Sequence, residues 1–200
     1  MTSISSVTLE VDDLAAAEPF YAALGLGERV RLRASDAPTT GFRGFTLSLL
    51  VSQPANASAL LDAASAAGAT LKPAAKSMWG FGGVVQAPDQ TIWKVATSAK
   101  KDTGPASRDV DSMVLLLGAT DIAATKRFYV DRGLTVGKSF GPMYVEFALE
   151  SSPLTLALYR RKALAKDAGV PEAGSGSHRL VIEADTGSFA DPDGFTWAAA

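Results

Sequence analysis

Apolar and polar positions alternate from the start of the chain. Val7, Leu9 and Val11 are interleaved with Ser6, Thr8 and Glu10, a period of two that predicts a strand with one buried face. Asp13 stands next at an N-cap position, and the Ala-rich run behind it, stopped by Gly25, predicts a helix. Asp121 and Gly133 bracket a second helix in the same way. Pro19 falls inside the first helix and predicts a bend or a delayed start. Strands are expected over 45–51, 82–86, 144–149, 154–159 and 179–183. Segments 56–67, before Gly68, and 161–168, before Gly169, read as further helices. Turns at Ala87-Pro88-Asp89-Gln90 and Asp191-Pro192-Asp193-Gly194 lead into short final strands that carry Trp93 and Trp197.

The pattern occurs twice. Asp13, Phe20 and Gly25 recur as Asp121, Phe128 and Gly133, each at an offset of 108 (121 − 13, 128 − 20, 133 − 25). Pro88 and Trp93 recur as Pro192 and Trp197 at an offset of 104 (192 − 88, 197 − 93). Two motifs in the same order indicate a duplicated strand–helix–strands module, an α+β arrangement in which neither half covers its own sheet. The first module is expected over 1–100, a linker over 101–109 and the second module over 110–200. Phe20, Tyr21, Phe128, Tyr129 and both repeated tryptophans are assigned to the core.

Composition narrows the functions available. Of 200 residues, 47% are hydrophobic and 20% charged, enough apolar mass for a packed core. A formal net charge of −2 lacks the basic excess that neutralises phosphates, so nucleic acid is not an expected partner. No Cys is present, which excludes disulfides and thiolate chemistry, and there is one His, His178. The first basic residue is Arg29 and no apolar run reaches the length of a membrane span, so a cytoplasmic protein without a membrane partner is expected. The basic run at 159–162 reads as the solvated face of a short helix, and 174–177 as a flexible connector.

The strand, the Asp-Leu run ending in Phe20-Tyr21 and Leu24-Gly25-Leu26, and the Pro-Asp turn before Trp together resemble the glyoxalase/bleomycin resistance protein/dioxygenase family, the vicinal oxygen chelate superfamily. The resemblance covers nearly the whole chain and implies two βαβββ modules forming a cup-shaped mixed sheet with helices on the outer face. It also implies a small-molecule ligand in that cup and, in many members, a divalent metal. At the positions where the family carries metal ligands this chain has Ser6, Val114, Lys94 and Ala198, with His178 at a third position used by some members. A catalytic metal centre needs about three protein ligands, so no metal site and no cofactor are expected.

The resemblance places Ser6, Thr8 and Glu10 on the cup face of the first strand and Val114 and Leu116 on that of its repeat. Trp79 and Phe81, among Gly80, Gly82 and Gly83, and Phe140 and Tyr144, around Gly141-Pro142, are further ligand-contact candidates, with His178. The expected function is binding or sequestering a small, partly apolar organic molecule, as a monomer or homodimer. The alternative is a lyase, isomerase or dioxygenase-like enzyme using Glu10 or His178, with carboxylates such as Glu146 recruited for a metal.

Overall fold

A computed structural model describes residues 2–78, 80–149 and 152–200. The elements run β1 (Ile4–Val11), α1 (Leu14–Leu24), β2 (Val30–Ala34), β3 (Thr39–Gly41), β4 (Phe45–Leu50), α2 (Pro54–Ala66), β5 (Thr70–Ser77), β6 (Gly80–Gln86) and β7 (Ile92–Thr97). They continue β8 (Ser112–Ala119), α3 (Ile122–Val130), β9 (Thr135–Phe140), β10 (Tyr144–Ala148), β11 (Thr155–Arg160), α4 (Arg161–Ala168), β12 (Gly174–Gly176), β13 (Leu180–Ala184), β14 (Phe189–Ala190) and β15 (Thr196–Ala199). The fold is α+β, with the helices outside the sheets.

Both repeated helices start where the capping residues put them. The Asp13 carboxylate accepts from Ala16 N, and that of Asp121 from Ala123 N and Ala124 N. The expected delay at Pro19 does not occur: α1 begins at Leu14, and the proline is tolerated on the exposed side of the helix. Gly25 ends α1 at a φ of 63°, the left-handed conformation a C-terminal stop requires.

The chain forms two compact units. The first comprises Met1–Asp12, Glu28–Phe45 and Leu115–Ala200, and the second Asp13–Gly27 and Thr46–Val114. In the first unit one sheet has the order β14-β15-β13-β1-β2, with β1 antiparallel to β13 and parallel to β2. A second set of strands runs β8-β11-β10-β9. Val7, Leu9, Ile182 and Trp197 are buried on one face of the first sheet, and Val145, Phe147 and Leu158 on one face of the second. Tyr129 of α3 touches both layers, with its ring 5.3 Å from Trp197 and 5.5 Å from Phe147 between centroids. Phe128, expected in the core, is half-buried instead, because Arg132 lies over its ring and Phe189 packs against its edge.

Gly174–Gly176 is not a free connector: it pairs as a strand with Thr39–Gly41. Arg161 departs from the solvated reading too, since its guanidinium donates to the Phe42 carbonyl at 2.8 Å and lies against Gly44, where a Cβ would strike it.

In the second unit the strands run β5-β6-β7-β4, with β4 parallel to β7 and the other pairs antiparallel. Helix α1 buries Ala17, Phe20, Tyr21 and Leu24, and α2 buries Ala57, Leu60, Leu61 and Ala64. Each set has the i, i+3, i+4, i+7 spacing of one helix face. The polar stretch after β7 is docked on α2: Gln53 accepts from Thr103 N and Gly104 N and donates to Pro105 O, while Asp102 accepts from Ala55 N at 2.7 Å. This carboxylate supplies the N-terminal cap that the Gln53 side chain does not.

Candidate functional site

In the first unit, beyond a register shift between Ile4 and Ser6, β1 turns Val7, Leu9 and Val11 to the core and Ser6, Thr8 and Glu10 to the opposite face. Register then decides their company. Ser6 lies opposite Glu183 of β13, and the Ser6 and Thr8 hydroxyls each donate to the Glu183 carboxylate at 2.6 Å. Arg31 of β2 donates to the same carboxylate at 2.9 Å, and Arg33, two residues on, pairs with Glu10 at 2.6 Å. Burial alone raises the Glu183 carboxyl, but the Ser6 and Thr8 hydroxyls and the Arg31 and Arg33 charges outweigh it and hold the group below its ordinary value. Both arginines are more than half exposed, at 60% and 56%, so guanidinium N–H groups face solvent beyond a carboxylate layer that orients them. The combination can bind an oxyanion, with Val181 and Ala198 in register beside Thr8 and Glu183 as apolar surface.

A second polar set lies on β9 and β10 of the same unit. Glu146 accepts from Lys138 Nζ and from Tyr144 Oη, both at 2.8 Å. Burial raises the Glu146 carboxyl, but the Lys138 and Tyr144 bonds reverse this and leave it lowered; burial and that carboxylate together raise the Tyr144 phenol. Phe140 and Tyr159 flank Tyr144, with ring centroids at 6.0 and 6.3 Å, and Phe140 is 66% exposed.

His178 stands apart from these groups. Its Nδ1 meets the Arg43 carbonyl at 2.5 Å, its Nε2 meets the Asp193 carbonyl at 3.0 Å, and its ring stacks on buried Phe195 at 4.0 Å. Both ring nitrogens are engaged by backbone, an arrangement that holds the β12–β13 segment to its neighbours. Arg179, expected to open the strand over 179–183, instead precedes β13 at a φ of 54° and is buried. Its guanidinium donates to the carbonyls of Ser35 and Ala37 and pairs with Asp12.

In the second unit, β7 sends Trp93 and Val95 toward α1 and α2 and sends Lys94 to the opposite face. Ser48 of β4 and Val84 of β6 lie in register with Lys94. Burial pushes the Lys94 ammonium down to about 8. Phe81 is in register with Thr97, on the side of Trp93 and Val95, so it is not brought together with Lys94. Val114 of this unit and Leu116 of the first are half-buried even positions of β8, alternating with buried Met113, Leu115 and Leu117. Trp79 lies outside the described residues.

The residues present do not fit a resident divalent metal. Ser6 donates its hydroxyl proton to a carboxylate, His178 offers neither nitrogen, and a cation stands at Lys94. Among the described residues no group of three or more His, Asp or Glu side chains is placed to hold such an ion. Among them, too, no helix is long and apolar enough to cross a membrane.

Reading the sequence for motifs missed Glu183, Arg31, Arg33 and Lys138. For the arginines a signal was present, since Val30 and Leu32 alternate with Arg31 and Arg33, whereas Leu180, Val181 and Ile182 are apolar in succession and give Glu183 no such rhythm.

Solved structures share this fold. Glyoxalase I from Zea mays matches with a TM-score of 0.63 at 14% identity, over 98% of this chain and 91% of that one. Its V278E mutant matches with a TM-score of 0.64 at 13% identity, over 98% and 91%. A putative dioxygenase from Bacillus subtilis subsp. subtilis str. 168 matches with a TM-score of 0.56 at 11% identity, over 90% of this chain and 69% of that one. No protein-family model and no curated protein sequence matches the chain. At these identities the likeness establishes the architecture, an α+β fold of the kind seen in glyoxalase I.

Proposed function

We propose that this chain is a glyoxalase/bleomycin-resistance-like protein that binds or sequesters a small, partly apolar organic molecule carrying an anionic group. Support comes first from the buttressed arginine pair: Ser6 and Thr8 fix Glu183, Glu183 and Glu10 fix Arg31 and Arg33, and the guanidiniums face outward. A guanidinium held in advance by a carboxylate loses less side-chain entropy when it meets a ligand. The residues that the family resemblance aligns with metal ligands are engaged elsewhere or chemically unsuited, which favours binding over metal-assisted catalysis. Tyr144 and Phe140 offer flat apolar surface for a ligand body, and Glu10 serves here as the partner of Arg33.

Native mass spectrometry of protein taken directly from its host, paired with elemental analysis, tests this reading. The expected result is an organic mass retained by the wild type and lost in Arg31→Met. Stoichiometric Zn, Ni, Fe or Mn surviving dialysis would overturn it in favour of a lyase or isomerase of the same fold.

A further inference from the structure

The second unit carries a feature that the binding reading does not use. Lys94 projects from the middle of β7 on the face turned away from α1 and α2. Across the parallel ladder to β4 its register partner is Ser48, and Thr46 stands one alternation earlier on the same face. Both are buried, and among the described residues the Thr46 hydroxyl has no hydrogen-bond partner. A hydroxyl buried without a partner is destabilising, so its retention on this face needs a reason. Across the antiparallel ladder stand Val84, in register with Lys94, and Gly82, in register with Ala96. A Cβ at Gly82 would sit 2.5 Å from Val95 O, so the floor beside the amine is bare backbone and a methyl group. The next charged position on that face is Lys72 of β5, in register with Val84.

We propose that Lys94 is an amine nucleophile that captures the carbonyl group of a small aldehyde or ketone as an imine, with Thr46 as the proton-relaying hydroxyl. The neutral amine adds its lone pair to the carbonyl carbon, the C=O π pair moves to oxygen, and the oxygen takes up the proton leaving nitrogen, giving a carbinolamine. Departure of that hydroxyl with one further proton releases water as the C=N bond forms. One amine and one carbonyl thus give one imine and one water, and no oxidant or metal is required. Thr46 both donates and accepts, which suits the transfer between nitrogen and oxygen. Ser48 and the small floor leave room for the carbonyl substituents. Burial favours the neutral amine, the form that attacks. This inference does not depend on the arginine pair of the first unit.

Reductive trapping of the intact protein with propanal and cyanoborohydride, followed by peptide mapping of its nine lysines, tests the proposal. At pH 7 Lys94 should be propylated at least about tenfold faster than the median of the other eight, because a pKa lowered by more than a unit raises the neutral fraction by more than about tenfold. Its rate should rise with a midpoint near pH 8. Thr46→Val should slow Lys94 labelling severalfold without moving that midpoint. Labelling of Lys94 no faster than the other lysines would overturn the nucleophile, and an unchanged rate in Thr46→Val would overturn the relay. Neither result bears on retention of an organic ligand by Arg31.

Discussion

The two closing turns of the repeat use the same residue types and wire them differently. In the second unit Tyr21 Oη donates to Asp89 Oδ1 at 3.0 Å, Thr91 donates to the other oxygen of Asp89, and among the described residues the Trp93 indole N–H makes no well-formed hydrogen bond. In the first unit Tyr129 Oη donates to Asp191 Oδ2 at 2.5 Å and accepts from Trp197 Nε1 at 3.2 Å. The other Asp191 oxygen takes the backbone N–H groups of Asp193 and Phe195. By the offset of 104, Asp191 corresponds to Ala87 and Asp193 to Asp89. With an alanine before the proline, Asp89 must bind the tyrosine itself. With an aspartate there, Asp193 is released to hold Thr125 Oγ1 and Thr120 N, both at 2.7 Å. The tyrosine–tryptophan packing is common to both turns, and one extra carboxylate redirects the polar network around it.

The largest expected difference between the turns follows from that wiring. Tyr129→Phe leaves the buried Asp191 carboxylate and the Trp197 N–H without the phenol they share, and should cost about 2–4 kcal/mol. Tyr21→Phe removes one bond to a less buried aspartate and should cost about 1 kcal/mol. Urea denaturation of the two variants reads the difference, and equal losses would show that the Trp197 bond adds nothing. Burial and the Asp191 charge both raise the Tyr129 phenol, so it stays protonated and bonded across the working pH range.

The faces turned away from the helices extend the contrast. The first unit carries the Glu183–Arg31 and Glu10–Arg33 pairs on its face, while in the second Lys94 has Ser48 and Val84 in register beside it. Burial lowers the folded-state value of Lys94 to about 8, below the ordinary value of 10.5, so between these pH values the unfolded chain binds more protons and stability should rise with pH. Lys94→Met should remove that rise and stabilise the protein at pH 7 by on the order of 1–3 kcal/mol, within the range that a lowered pKa implies. Thermal melts of both proteins from pH 7 to 10.5 test this. A wild type whose stability is flat over that range would place the ammonium in better solvation than its surroundings indicate.

How much of this was legible in the sequence depended on the kind of interaction. Helix starts at Asp13 and Asp121, the cores under Trp93 and Trp197, and the alternation of β1 all follow from short-range pattern, and they appear as expected. The pairing of β3 with β12 was not readable. Thr39–Gly41 and Gly174–Gly176 have no apolar rhythm, and their contact is main chain to main chain, so close that a Cβ at Gly174 or Gly176 would strike the Phe42 or Pro38 carbonyl. Arg179 was misplaced because alternation was carried one residue too far. A left-handed φ at a non-glycine residue has no signature in hydropathy, and three hydrogen bonds to two backbone carbonyls, with one ion pair, hold that conformation in place only after the chain has folded. The Glu183 cluster required the register of β1 against β13, two segments about 175 residues apart, which a single sequence does not supply.

That cluster gives the smallest expected effect and the sharpest contrast with Lys94. Burial raises the Glu183 carboxyl, but the Ser6 and Thr8 hydroxyls and the neighbouring guanidiniums lower it further, so its folded-state value lies below the unfolded one. The stability it contributes is therefore present above the ordinary glutamate value of about 4.3 and is lost as pH falls through the folded value. Lys94 gives a rise with pH on the alkaline side, and Glu183 gives a loss on the acid side. In Glu183→Gln the acid limb of a melting-temperature profile between about pH 5 and 3 should become shallower, and stability at pH 7 should fall by about 1 kcal/mol or less, because the Arg31 partner is largely solvated. A steeper acid limb in the variant would mean that the two hydroxyls bind the protonated carboxyl better than the carboxylate. In that case Arg31 would be held by an uncharged group at low pH, and the oriented guanidinium pair would need a different anchor.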